Sequence, residues 1–356
     1  MSGTVDSTSI DVAMRRALEI ARLGPVSANP RVGAVVLDVE GQVVGEGWHD
    51  GAGTPHAEVV ALRAAGPRAR GGTAVVTLEP CSHTGRTGPC TLALVEAGVA
   101  RVVYGRPDST QTARGGSRVL SGLGLQTWLV TSPALRAEAD ALVAAWQQAV
   151  DLGRPLVTWK LATTLDGRSA AADGSSRWIT GEAARADVHR LRGEADTVLV
   201  GTGTVLADDP RLTVRDAAGS PAARQPLRAV MGLRPLPAAA HVTDHEAPSL
   251  LLTTRDPAAA LADLWASGRR QVWLEGGPTL AAAFWRAGLV DRLIAYVAPA
   301  LLGSGRPAVA DLGITSIDGV VRLQLDDVTR VGDDVRLTLR PQPASTAAPS
   351  QSEGTT

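Results

Sequence analysis

Three soft metal ligands scattered over separate segments constrain this chain more than any other feature. They are His56 in Pro55-His56-Ala57-Glu58, Cys81 in Pro80-Cys81, and Cys90. One imidazole and two thiolates hold Zn²⁺ tetrahedrally and leave the fourth position open to water, the mark of a catalytic zinc site. An ion held there lowers the pKa of its water toward neutrality. Glu58 is not needed as a ligand and is placed to carry protons. The bland alternative is that one His and two Cys merely pack, or that Cys81 and Cys90 form a disulfide in an oxidising compartment. Met1 to Ser9 is short and polar and lacks the apolar segment of a leader, so a cytoplasmic location is expected. These two are the only cysteines in the sequence. The expectation is one Zn²⁺ per chain.

The surrounding pattern says what must converge. Ala28 to Leu37 reads as a turn and a buried strand, and Gln42 to His49 as the second strand of a hairpin. Asp11 to Leu23 has helical spacing, with Val12, Ala13, Ala17, Leu18, Ile20 and Ala21 on one side. A helix over His56–Ala65, a strand over Thr73–Leu78 and a helix over Thr91–Ala97 ending at Gly98 bracket the ligands. His56 and Cys90 thus fall at helix N-termini, where the dipole favours negative charge.

This arrangement resembles the zinc deaminases, in which an activated water displaces ammonia from a ring carbon. Nucleic-acid and nucleoside deaminases typically carry P-C-x-x-C, whereas here Ser82 through Pro89 separate the cysteines. Asn29-Pro30-Arg31-Val32-Gly33-Ala34-Val35, Gly45-Glu46-Gly47-Trp48-His49, Pro55-His56-Ala57-Glu58 and Thr77-Leu78-Glu79-Pro80-Cys81-Ser82-His83 through Cys90 resemble the bifunctional deaminase/reductases of riboflavin biosynthesis. The resemblance implies that His56, Cys81 and Cys90 hold zinc, that Glu58 shuttles protons, and that Asn29, His49 and Arg86 touch substrate. One departure stands out. Where that family has Asp-Pro-Asn-Pro, this chain has Arg106-Pro107-Asp108-Ser109-Thr110.

Glu138 to Gln148 reads as one amphipathic helix, and beyond Asp151-Leu152-Gly153-Arg154-Pro155 the pattern changes. Strands over Leu156–Ala162, Asp196–Gly201, Leu227–Met231, Leu250–Thr253 and Gln271–Leu274 alternate with helical stretches such as Glu182–Arg192, which implies an α/β domain with a largely parallel sheet. Glu275-Gly276-Gly277-Pro278-Thr279 could let backbone N–H groups approach a phosphate. No G-x-G-x-x-G follows a first strand, so a Rossmann domain is not supported. Lys160-Leu161-Ala162 through Arg168, Gly174 to Gly181, Leu191-Arg192, Val200 to Arg215 and Leu274 to Gly277 resemble the reductase half of the same family, whose fold is dihydrofolate-reductase-like. The resemblance implies NADPH contacts at Ala162, Trp178, Thr204, Asp208, Glu275, Gly276 and Gly277. It implies contacts to the phosphorylated substrate at Ser176, Arg192, Leu212 and Arg215. A smaller departure is Gly232, where an Asp is more usual.

The expected organisation is a flexible N-terminus over 1–9 and an N-terminal cytidine-deaminase-like three-layer domain over 10–150. A C-terminal dihydrofolate-reductase-like domain over 151–342 and a disordered tail over 343–356 follow. A length of 356 residues and 44% hydrophobic content suit two globular domains. A net charge of −1 argues against a nucleic-acid partner, and no apolar run reaches the length of a membrane span. The expected activity is deamination of a phosphoribosylated diaminopyrimidinone, a small phosphorylated pyrimidine, followed by NADPH-dependent reduction of its ribosyl group to a ribityl chain, in a homo-oligomer. Two other readings stay open. One is a relative serving a specialised pyrimidine-derived pathway, or one with an impaired deaminase, suggested by the altered 107–110 loop. The other is a nucleic-acid deaminase, which the long loop between the cysteines and the charge disfavour.

Overall fold

The computed structural model describes residues 6–84, 88–216 and 218–342. The chain divides after Arg154 into two compact units, Gly268–Arg270 counting with the first.

The first unit runs α1 (Ser7–Ala21), β1 (Gly33–Leu37), β2 (Val43–Trp48), α2 (Ala57–Ala65), β3 (Thr73–Val76), α3 (Cys90–Ala97), β4 (Arg101–Tyr104), α4 (Gly116–Gly122), β5 (Gln126–Leu129) and α5 (Pro133–Leu152). Its sheet order is β2-β1-β3-β4-β5, antiparallel at β1 and parallel from β3 to β5. Side chains of α1 and α5 pack with Val35, Leu37, Val75 and Val103 on one face. Those of α2, α3 and α4 pack with Ala34, Val36, Ala74 and Val102 on the other, because successive strand residues point to opposite sides. The result is the expected three-layer domain.

Three expectations need correction. Residues 1–9 are not all outside regular structure: α1 begins at Ser7, because the Asp6 carboxylate caps it by accepting the Ser9 N–H at 2.6 Å. Val12 is not on the buried face; it is 54% exposed, and Ile10 and Met14 take that side. The last helix is longer than 138–148. Ser132 caps it, Pro133 opens it, and Gly153 ends it in the left-handed region at φ 64°.

The second unit runs β6 (Leu156–Thr164), β7 (Arg168–Ala170), α6 (Glu182–Arg192), β8 (Thr197–Gly201), α7 (Thr202–Asp208), β9 (Leu227–Met231), β10 (Ser249–Leu252), α8 (Pro257–Ala266), β11 (Gln271–Leu274), α9 (Pro278–Arg286), β12 (Arg292–Ala298), β13 (Arg306–Pro307), β14 (Leu323–Val331) and β15 (Asp334–Pro341). Its main sheet has the order β10-β9-β8-β11-β6-β12-β15-β14. It is parallel from β10 to β12, and β15 then pairs antiparallel with both β12 and β14. Directly after β8, Thr202-Gly203-Thr204 opens the short helix α7. The unusual Gly232 also finds a reason here. Its φ is 145°, and a Cβ would lie 2.6 Å from the Thr202 hydroxyl, so an Asp would clash.

Candidate active sites

Close packing of α2 on β2 positions the first site. A Cβ on Gly45 would lie 2.1 Å from the Ala61 carbonyl oxygen, and one on Gly47 would lie 2.6 Å from the Ala61 nitrogen. Glycine at both positions lets the helix settle onto the strand. His56 is the N-cap of α2, Cys90 the first residue of α3, and Cys81 lies just beyond β3.

Folding brings the three ligands together. His56 Nδ1 lies 3.0 Å from Cys90 Sγ and 3.5 Å from Cys81 Sγ, and the two sulfurs are 3.5 Å apart. Zinc bonds of about 2.0–2.3 Å give tetrahedral edges of roughly 3.5 Å, so the donor triangle fits the ion. Among the described residues this is the one group of three or more His, Cys, Asp or Glu whose donor atoms all lie within 4.8 Å of one another. The hydrogen bond from Cys90 pulls the Cys81 thiol well below the ordinary range, with His56 adding to the effect, while the Cys90 thiol is pushed up. Held by Cys81, the His56 imidazolium is favoured against burial. As ligands of a divalent cation the two sulfurs would be thiolates and the imidazole neutral.

Glu58 is 4% exposed, and burial pushes its carboxyl pKa up. Asn29, His49, His56, Glu58, Cys81, His83, Asp108 and Thr110 line one cavity of about 820 Å³, a size that suits a small-molecule ligand. Asn29 Nδ2 is 3.0 Å from His49 Nε2, and His49 Nδ1 is 3.2 Å from the Pro55 carbonyl oxygen. That geometry calls for a neutral ring protonated on Nδ1, and burial lowers the His49 pKa accordingly. Arg86 lies outside the described residues.

Neighbouring strands β8, β11 and β6 assemble the second site. Glu275, at the end of β11, takes two bonds from Arg192 (Nε–Oε1 2.9 Å, Nη2–Oε2 2.8 Å) and a short one from Trp273 Nε1. Burial alone would raise its pKa. The Arg192 and Lys160 charges overcome that and hold Glu275 down at about 2. Burial pushes the Lys160 ammonium down, opposed by Glu275. Thr204, on α7, accepts the Gly277 N–H at 3.2 Å, joining two of the expected cofactor residues. Glycines at 276 and 277, a hydroxyl and the N-terminus of α9 form a donor set that suits a nicotinamide dinucleotide phosphate.

The other expected residues vary in placement. Ala162 lies on β6 opposite Tyr296. Trp178 is 69% exposed, with the Arg185 guanidinium 4.5 Å above its ring. Asp208 closes α7, and its carbonyl accepts from Arg177 at 2.7 Å. Ser176 is half-buried. Leu212 is buried at φ 55°, and Arg215 donates to the Gly219 carbonyl at 2.8 Å. Arg192 is committed to Glu275 and to the Thr213 carbonyl at 2.6 Å. Lys160 was not singled out from sequence. Its signal in the sequence is the single charge of β6, between Trp159 and Leu161.

Known proteins extend this picture. Residues 7–106 match the cytidine and deoxycytidylate deaminase zinc-binding region, and residues 155–337 match the RibD C-terminal domain. Fold and sites together define a two-unit enzyme, a zinc-dependent deaminase followed by an NADPH-dependent reductase. Riboflavin biosynthesis protein RibD of Mycobacterium tuberculosis (strain CDC 1551 / Oshkosh) is 51% identical over 93% of this chain and 97% of its own length. RibD of Escherichia coli (strain K12) is 39% identical over 92% of this chain and 98% of its own. Acinetobacter baumannii RibD superposes with a TM-score of 0.80 at 36% identity, covering 95% of this chain and 100% of that one. A Thermotoga maritima structure is described as a diaminohydroxyphosphoribosylaminopyrimidine deaminase/5-amino-6-(5-phosphoribosylamino)uracil reductase. It gives a TM-score of 0.81 at 29% identity, over 94% of this chain and 99% of that one. The chain belongs to the RibD family of bifunctional riboflavin-biosynthesis enzymes.

Proposed function

We propose that the first unit deaminates a phosphoribosylated diaminopyrimidinone and that the second reduces the product's ribosyl group to a ribityl chain. The convergence of His56, Cys81 and Cys90 beside the buried Glu58 carries the first half of this reading. When bound, zinc supplies an activated water at neutral pH. Glu58 holds a proton readily because of its burial, and in this reading it would carry protons to the departing amine. Asn29, its amide fixed by the neutral His49, keeps its second N–H and its carbonyl oxygen for the edge of a pyrimidine in the cavity. The triangle of ligands belongs to the first unit alone, so its chemistry needs no nicotinamide.

In the second unit NADPH supplies the hydride. Ala162, Trp178, Thr204, Asp208 and the turn from Glu275 to Gly277 bind it in this reading, and Ser176, Arg192, Leu212 and Arg215 orient the sugar phosphate. Arg192 does so by fixing Glu275 as well as by its charge. Lys160, a partly buried amine whose proton is made labile by its surroundings, is suited to hold or release the proton that accompanies hydride transfer. The net charge of −1 supports a reading without a nucleic-acid partner. No helix among the described residues is long and apolar enough to cross a membrane.

Mass spectrometry of the full chain incubated with the diaminopyrimidine phosphate tests the reading. Without NADPH the product should have oxygen in place of one amino group; with NADPH it should gain two further hydrogens. Return of the substrate unchanged in both tubes would overturn the proposal.

A further inference from the structure

We infer that Glu79 is a positioning residue for deamination: its carboxylate fastens the Asp108–Thr110 wall of the cavity to the segment that carries Cys81. This rests on the reading that the first cavity binds the pyrimidine.

Glu79 is 6% exposed, and a carboxylate so buried requires hydrogen-bond partners. It has three, all donors from one later stretch of chain. Oε2 accepts the Asp108 N–H at 3.1 Å, while Oε1 accepts the Ser117 N–H at 2.9 Å and the Ser117 hydroxyl at 2.6 Å. The backbone makes a return link, since the Glu79 N–H donates to the Arg106 carbonyl at 2.9 Å. Next along the chain, the Pro80 carbonyl packs so closely on Gly116 that a Cβ there would lie 1.7 Å from its oxygen. Residues 79 and 80 are thus held at several points against 106–117, one residue before the ligand Cys81.

The far side of this strap faces the cavity. Asp108 and Thr110 line it together with His56, Glu58 and Cys81. Asp108 is 8% exposed, and its Oδ1 accepts both the Thr110 N–H at 2.8 Å and the Thr110 hydroxyl at 2.6 Å. This pair locks the Thr110 side chain to Asp108, and Glu79 locks the Asp108 backbone to the chain entering the ligand triangle. Glu79 therefore sets the distance between the metal and the wall that a pyrimidine would rest on. Glu79 also borders the cavity, but both of its carboxylate oxygens are taken up by Asp108 and Ser117, so it acts through that wall. A glutamine would keep the volume but turn an N–H group toward either Asp108 N–H or Ser117 N–H, two donors face to face.

Glu79→Gln and Ser117→Ala in the full chain test this, with zinc content, reduction of pre-deaminated substrate, and deaminase kcat and KM measured together. Glu79→Gln should keep its zinc and its reductase rate while deaminase KM rises about tenfold, as expected for lost hydrogen bonds to a charged group, with a smaller change in kcat. Ser117→Ala removes one bond and keeps the carboxylate, so its KM should rise about threefold; it also serves if Glu79→Gln does not fold. Asp108→Asn should have less effect in the Glu79→Gln background than alone, because residues acting through one element are not additive. Wild-type protein that fails to deaminate would sink the underlying reading. Wild-type protein that deaminates, beside a Glu79→Gln variant with unchanged KM or a loss explained wholly by missing zinc, would overturn this inference alone.

Discussion

Arg192 and Glu275 are joined by two parallel bonds of 2.9 and 2.8 Å across 83 residues of sequence. Their side chains are only 10% and 13% exposed. The pair ties the last residue of α6 to the Glu275–Gly277 turn, proposed above to bind NADPH. Breaking a buried pair leaves the remaining charge uncompensated, at a cost of several kcal/mol. Glu275→Gln should therefore destabilise the second unit by on the order of 3 kcal/mol and weaken NADPH binding. Denaturant unfolding followed alongside NADPH titration checks both effects.

The same carboxylate predicts an acid limb. Glu275 is held at about 2 when folded, against an ordinary value of 4.5. Between those values the unfolded chain binds a proton that the folded chain does not, so stability falls as pH falls. The contribution is complete above the unfolded value and is lost as pH drops through about 2. The difference in unfolding midpoint between wild type and Glu275→Gln should shrink across that window. A constant difference from neutral to acid pH would contradict the assignment.

Much of this architecture can be read from the sequence, and the exceptions have physical causes. The hairpin of β1 and β2, the ligands at the starts of α2 and α3, and α6 follow from local periodicity and turn residues. The hairpin of β14 and β15 does not. Most of β14 is exposed, and a register shift between Leu325 and Asp327 breaks its alternation. Helix α7 begins with Thr-Gly-Thr, residues of poor helix propensity, and forms where β8 delivers it. The contacts of Glu79 with Ser117, and of Glu275 with Arg192, join distant segments. No local pattern encodes those, and they exist only once the sheets are assembled.

Glu58→Gln should retain zinc, since the three ligand atoms are untouched. Its deamination rate should fall by about 10²–10⁴-fold, the usual worth of a proton carrier. Metal analysis beside an ammonia assay checks it. Loss of zinc in this variant would mean that Glu58 supports the site rather than the chemistry.

Thr204→Val should strip the Gly277 N–H of its acceptor while conserving shape. A lost neutral hydrogen bond is worth about 1 kcal/mol, so the NADPH Kd should rise about fivefold. Ammonia release should not change, because Thr204 belongs to the other unit.

The central claim is that His56, Cys81 and Cys90 make the first unit a zinc deaminase whose chemistry is independent of the reductase. The most direct test is to follow ammonia release and NADPH oxidation in parallel for Cys81→Ala, with the pre-deaminated compound as the reductase substrate. The account predicts loss of zinc, no ammonia release and an unchanged rate of NADPH oxidation. Full-rate deamination by the metal-free variant would contradict it.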